Sequence, residues 1–144
     1  MAPSLGPAAT LAARVNIKTG VDATDVHPVL WTFLGAIALR HRTETGHELV
    51  VTSLRRPPGP RASKHSPGLG GLCEAADLRR WQLDTTHSAA AFANVLQHLY
   101  GACIGVVLEP EWLSESEIAA RGGLDKITGH IHIELKRTDW PFQL

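Results

Sequence analysis

GHIHIEL, residues 129–135, alternates without a break: His130, His132 and Glu134 are interleaved with Ile131, Ile133 and Leu135. A strand turns successive side chains to opposite faces. Extended to ITGHIHIELKR (127–137), the stretch is therefore predicted to be a strand. One face is apolar and needs a covering layer. The other carries two imidazoles and a carboxylate. That face is either a solvated sheet surface or a place where chemistry is done.

Working outward, the chain supplies both the layer and the sheet. THSAAAFANVLQHLY (86–100) reads as an amphipathic helix with Phe92, Val95, Leu96 and Leu99 on one face and Gly101 as its stop. IGVVLEP (104–110) is a strand ended by Pro110, and LCEAADLRR (72–80) a strand of mixed pattern. Val26, Leu30, Phe33, Leu34 and Ile37 recur at helical spacing, which predicts a helix over 26–43 capped by Thr24 or Asp25. Pro28 suits its first turn and Gly46 its end. HELVVTS (47–53) is β-branched and short, a strand. In SESEIAARGG (114–123), Ser114 and Glu117 have capping-box spacing, so a short helix is expected. The order predicts an α+β fold: a small, mainly antiparallel sheet flanked by helices.

Length and composition fit that picture. The chain has 144 residues, enough for one domain with its own core, assigned to 15–144 after a flexible arm at 1–14. Lys+Arg and Asp+Glu are both 14, so the basic excess of a nucleic-acid binder is missing. No apolar run is long enough to span a membrane, and no signal peptide is read at the start. The two cysteines, Cys73 and Cys103, match no zinc-ribbon or redox spacing and read as free buried thiols.

The polar face of the last strand gains meaning from LRRPPGPRASKHSPGLGG (54–71). Pro and Gly deny this stretch helix or strand, and a loop this long in a compact domain points to function or disorder. It brings His65, and the strand after it brings Glu74 and Asp77. One histidine and one carboxylate from here, with one histidine of the last strand, make three metal ligands and leave a fourth position open, the arrangement of catalytic zinc.

These segments together resemble the zinc D-alanyl-D-alanine carboxypeptidases and related peptidoglycan endopeptidases, many of them phage endolysins, which share a fold with the hedgehog signalling domain. The resemblance is carried by TSLRR (52–56), SKH (63–65), AADLR (75–79), GVVLEP (105–110) and HIHIE (130–134), in that order. It implies Zn2+ held by His65, Asp77 and His132, with His130 as the non-ligand histidine that stabilises the transition state or moves a proton. It implies Arg56, or Arg55 in the other register, as the holder of a substrate carboxylate or carbonyl. Ser63 becomes a substrate or outer contact. Glu109 is a second candidate for proton transfer beside its plainer reading as a solvated strand end. Glu134 is assigned to orient a histidine from outside the ligand set, or to a salt bridge with Lys136 or Arg137. His65 and Asp77 stand further apart than in the family, with SPGLGGLCEAA between them, so Glu74 stays open as the carboxylate ligand.

The implied activity is hydrolysis of an amide bond in a peptidoglycan stem peptide by a monomer. No nucleic acid and no membrane insertion are expected. The enzyme is made in the cytoplasm and acts at the bacterial cell wall once released. The alternative is a zinc-binding relative without turnover, serving as a cell-wall-binding or phage structural module. His27, His41, His47, His87 and His98 read as surface or helix-end residues, Trp31 as core, and Trp81, Trp112 and Trp140 as packing residues or groove walls.

Overall fold

The computed structural model describes residues 15–57, 63–67, 71–80, 86–109, 114–123 and 129–137, with side chains from 88 onward in the third-last of these ranges. The expectations for the arm at 1–14, for Arg61, Trp81, Trp112 and Trp140, for the His87 side chain and for Pro110 lie outside the described residues. Elements follow in the order β1 (Asn16–Ile17), α1 (Pro28–Thr45), β2 (Val50–Ser53), β3 (Ala75–Arg79), α2 (Thr86–Tyr100), β4 (Ile104–Glu109), α3 (Glu115–Ala120) and β5 (His130–Leu135).

The five strands form one sheet in the order β1-β2-β3-β5-β4. β2–β3, β3–β5 and β5–β4 are antiparallel, whereas β1 joins β2 in parallel. The sheet is therefore mixed, which corrects the mainly antiparallel expectation while leaving the α+β class in place. β1 has two residues, too few to show a period of two, and a parallel partner needs no hairpin signal in the sequence.

β5 alternates in burial as its sequence does: Ile131, Ile133 and Leu135 are buried, and His130, His132 and Glu134 half-buried. The buried side joins Ala76, Leu78, Ile104 and Leu108 of the neighbouring strands, and two helices complete this core. α1 contributes Leu30, Phe33, Leu34 and Ile37, and α2 contributes Ala89, Phe92, Ala93 and Leu96. Phe33 meets Tyr100 edge-on at 5.4 Å, tying one helix to the other. Leu99, expected on the α2 core face, is instead exposed; the buried stripe runs through Ala89, Phe92, Ala93 and Leu96.

The helix ends are instructive. α1 is capped by His27, whose Nδ1 accepts from the Val29 N–H at 3.1 Å, so neither Thr24 nor Asp25 caps it. Those two shape the preceding turn: Thr24 donates to the Asp22 carboxylate, and Asp25 takes a positive φ of 48°. Gly46 ends α1 in the left-handed region, as glycine allows. The Ser114–Glu117 capping box of α3 is present with both arms formed. His41, read as a surface or helix-end residue, is fully buried on α1, with Nδ1 donating to the His47 carbonyl at 2.8 Å and its ring edge-on to Phe92. Cys73 and Cys103 are free and buried.

Candidate metal centre

The sheet face opposite the core carries the polar cluster, and strand register builds it. β3 sets Asp77 opposite His132, and β4 sets Glu109 opposite His130. Opposed residues on neighbouring strands project to the same side. A register shift in β2 places Ser53 opposite Asp77 as well, and three residues beyond the end of that strand the chain reaches Arg56. Such irregularities commonly re-aim side chains next to sites.

His65 comes from the connection between β2 and β3, which is tied down at both ends. The Arg56 N–H donates to the His65 carbonyl at 3.0 Å, and the Glu74 N–H donates to the Lys64 carbonyl at 2.8 Å. Ser66 Oγ donates to the carbonyls of Arg56 and Pro57. The imidazole is thereby carried over the strand face and buried there.

Three side chains then turn one atom each to a common point, and in every case the other polar atom is held by an outer partner. His65 Nδ1 donates to the Leu54 carbonyl at 2.6 Å, leaving Nε2 inward, 3.3 Å from Asp77 Oδ1. His132 Nδ1 lies 2.9 Å from the same Oδ1, while its Nε2 is 3.1 Å from Glu134 Oε1. Asp77 gives its second oxygen, Oδ2, to the Arg56 guanidinium. Ligand atoms of His65, Asp77 and His132 all lie within 4.8 Å of one another, so the group can hold a metal ion.

The electrostatics follow from this crowding. Burial alone would push the Asp77 carboxyl up, yet hydrogen bonds from His132 and His65 hold it well below the usual carboxylate range. For His65, burial works downward but is outweighed by hydrogen bonds to Asp77, Cys73 and the Leu54 carbonyl, which raise it to about 9. His132 is raised chiefly by Asp77, against burial and with help from Glu134. The inward nitrogens thus face one buried anion that favours their protonated forms, and a divalent cation competes with the proton for their lone pairs.

A cleft of about 270 Å³ opens beside the group, lined by Arg56, Ser63, Lys64, His65, Asp77, Glu109, His130, His132 and Glu134. Of the candidates from the sequence, all but the alternatives Arg55 and Glu74 thus border one space. His130 Nε2 stands between Glu109 Oε2 at 3.1 Å and Asp77 Oδ1 at 3.4 Å. Ser63 Oγ accepts from the Ser66 N–H, which shapes the His65 turn. Arg56 rather than Arg55 borders the cleft. Arg55 instead donates to the Gly71 carbonyl. Glu74 is engaged through its backbone and is not in the metal group, which contains Asp77. Lys64, which the sequence reading passed over, lies 3.8 Å from Glu134 and donates to the Leu135 carbonyl. Its one available signal was adjacency to His65. A larger hollow of about 650 Å³ lies by Val15, Ala38, Leu39 and Leu49, but among the described residues the ligand atoms gather at the smaller cleft.

Fold and site together define an α+β protein with a buried two-histidine, one-aspartate group able to hold a metal ion. No protein-family model, no curated protein and no solved structure matches the chain.

Proposed function

We propose that the chain is a zinc-dependent peptidase that hydrolyses an amide bond in peptidoglycan stem peptides. The observation that carries this reading is the convergence of His65, Asp77 and His132 at the wall of an open cleft, with each side chain's other polar atom already engaged. Two imidazole nitrogens and one carboxylate oxygen are a donor set that suits zinc and leaves a coordination position free. Zinc, when bound, supplies a Lewis acid that polarises a carbonyl and acidifies water.

The remaining groups of the cleft hold and move protons. His130 presents Nε2 at the edge of the group, where it can take a proton or donate one to a developing oxyanion. Glu109 Oε2, 3.1 Å from that same Nε2, is placed to exchange the proton with it. Arg56 holds Asp77 with one nitrogen, and its half-exposed guanidinium leaves further donors facing the cleft for a substrate carboxylate. The peptidoglycan assignment rests on the order of the five sequence segments, and the metal assignment on the geometry.

The decisive experiment combines metal analysis with release of amino groups from purified peptidoglycan. Zinc near one equivalent with hydrolysis is expected, both lost in His132→Ala, with metal retained and hydrolysis lost in His130→Ala. Metal without hydrolysis identifies a binding module. Absence of bound metal from protein refolded with zinc rejects the mechanism.

A further inference from the structure

We propose that Glu134, backed by Lys64, is a positioning residue that locks the His132 imidazole with its Nδ1 lone pair turned into the metal group. This rests on the metal reading above. An imidazole offers two nitrogens, and the partner of one decides what the other can do. His132 Nδ1 is the inward atom, 2.9 Å from Asp77 Oδ1 and 3.3 Å from His65 Nε2. Its Nε2 faces Glu134 Oε1 at 3.1 Å. An ionised carboxylate only accepts hydrogen bonds. Glu134 therefore keeps a hydrogen on Nε2, so the proton that a metal displaces is the one Nδ1 turns to Asp77, and the ligating lone pair is that of Nδ1.

The sheet makes room for this contact. Residues two apart on a strand share a face but are separated by roughly 6.5 Å along it. Glu134 must therefore lie back along its own strand to reach His132. The positions flanking it in register are Ala75 and Gly105, the smallest side chains available. A Cβ added at Gly105 would stand 3.4 Å from Glu134 Cγ, already in contact with the glutamate stem. Lys64 then closes the outer side: its Nζ is 3.8 Å from Glu134 Oε2 and also donates to the Leu135 carbonyl. Its backbone is fixed in turn, since Glu74 donates to the Lys64 carbonyl and accepts from the Leu135 N–H. One short turn thus supplies both a ligand, His65, and the cation that steadies the outer partner of another ligand. The Lys64 and Glu134 side chains are both 40% exposed, so the pair contributes little as an ion pair. Its effect is geometric.

The test is Zn2+ affinity by competition with a chromophoric chelator, together with imidazole ¹⁵N shifts of the zinc-loaded protein. Wild type is expected to bind through His132 Nδ1. Glu134→Ala is expected to bind about 10- to 100-fold more weakly, the usual effect of removing an outer partner. Glu134→Gln restores most of the affinity, since its amide oxygen accepts from the same N–H, and Lys64→Met gives a smaller loss than Glu134→Ala. Melting of the metal-free variants reads folding separately. Wild-type affinity in Glu134→Ala, or coordination of wild type through Nε2, overturns the inference while leaving the metal reading intact. Wild type that takes up no zinc overturns both.

Discussion

At Asp77 one carboxylate meets three imidazoles and a guanidinium, with Oδ1 between 2.9 and 3.4 Å from the histidines. Such crowding makes the site strongly pH-dependent. An unfolded imidazole titrates near 6.5 and His65 in the fold at about 9, so the folded state holds that proton more tightly. The stability from this contact is complete below pH 6.5 and is lost as pH rises to 9. Zinc affinity should run the other way. It should climb through the same window by about tenfold per pH unit for each proton displaced. A flat affinity between pH 6.5 and 9 in competition titrations would place the metal elsewhere. His41 behaves oppositely to His65. Burial lowers its pKa, and among the described residues its Nε2 has no hydrogen-bond partner. The unfolded state therefore binds the extra proton first, and stability falls as pH drops below 6.5. His41→Leu should flatten that loss, by up to about 1.4 kcal/mol per pH unit, in urea melts at pH 5 and 7. An unchanged slope would show that His41 is not the titrating group. The sequence revealed neither this burial nor the Arg56–Asp77 pair, because both depend on partners brought from other segments.

Elements differ in legibility for a reason that lies in their period. β5 was readable from six residues because its alternation is complete, and α2 spans the residues its periodicity indicated. β1 left no signal, since two residues cannot alternate and a parallel pairing has no turn to mark it. The α1 cap was missed because an imidazole does the work normally assigned to Ser, Thr, Asp or Asn. The two faces of β5 also predict different consequences of substitution. Ile133 is fully buried between the helices and the sheet. Ile133→Ala should cost about 2–5 kcal/mol in denaturant melts, through lost transfer energy and the cavity left behind. Val107, opposite His132 on the cleft face and 46% exposed, should accept threonine within roughly 0.5 kcal/mol. Equal costs at the two positions would mean that the faces are assigned the wrong way round.

The molecule as a whole assembles the metal group from far-apart segments: His65 and His132 are separated by 67 positions, and Asp77 and His132 by 55. These residues meet only when β3 and β5 pair and the connection carrying His65 is seated, so the unfolded chain has no such site. A ligand that binds the native state alone stabilises it by mass action, about 2.7 kcal/mol at a free concentration of 100 Kd. With an unfolding entropy of about 2.1 cal/mol/K per residue, that corresponds to a rise of roughly 9 °C in melting temperature for a chain of this length. Zinc should produce this rise, and a chelator should reverse it. Asp77→Asn should abolish it, since the variant loses the anion on which both histidines converge. The rise should also fall as pH drops toward 6.5, because protons then occupy the ring nitrogens that the metal needs. Equal stabilisation of wild type and Asp77→Asn would mean that the heat-stabilising ion sits outside this group, whatever the geometry of the three ligands.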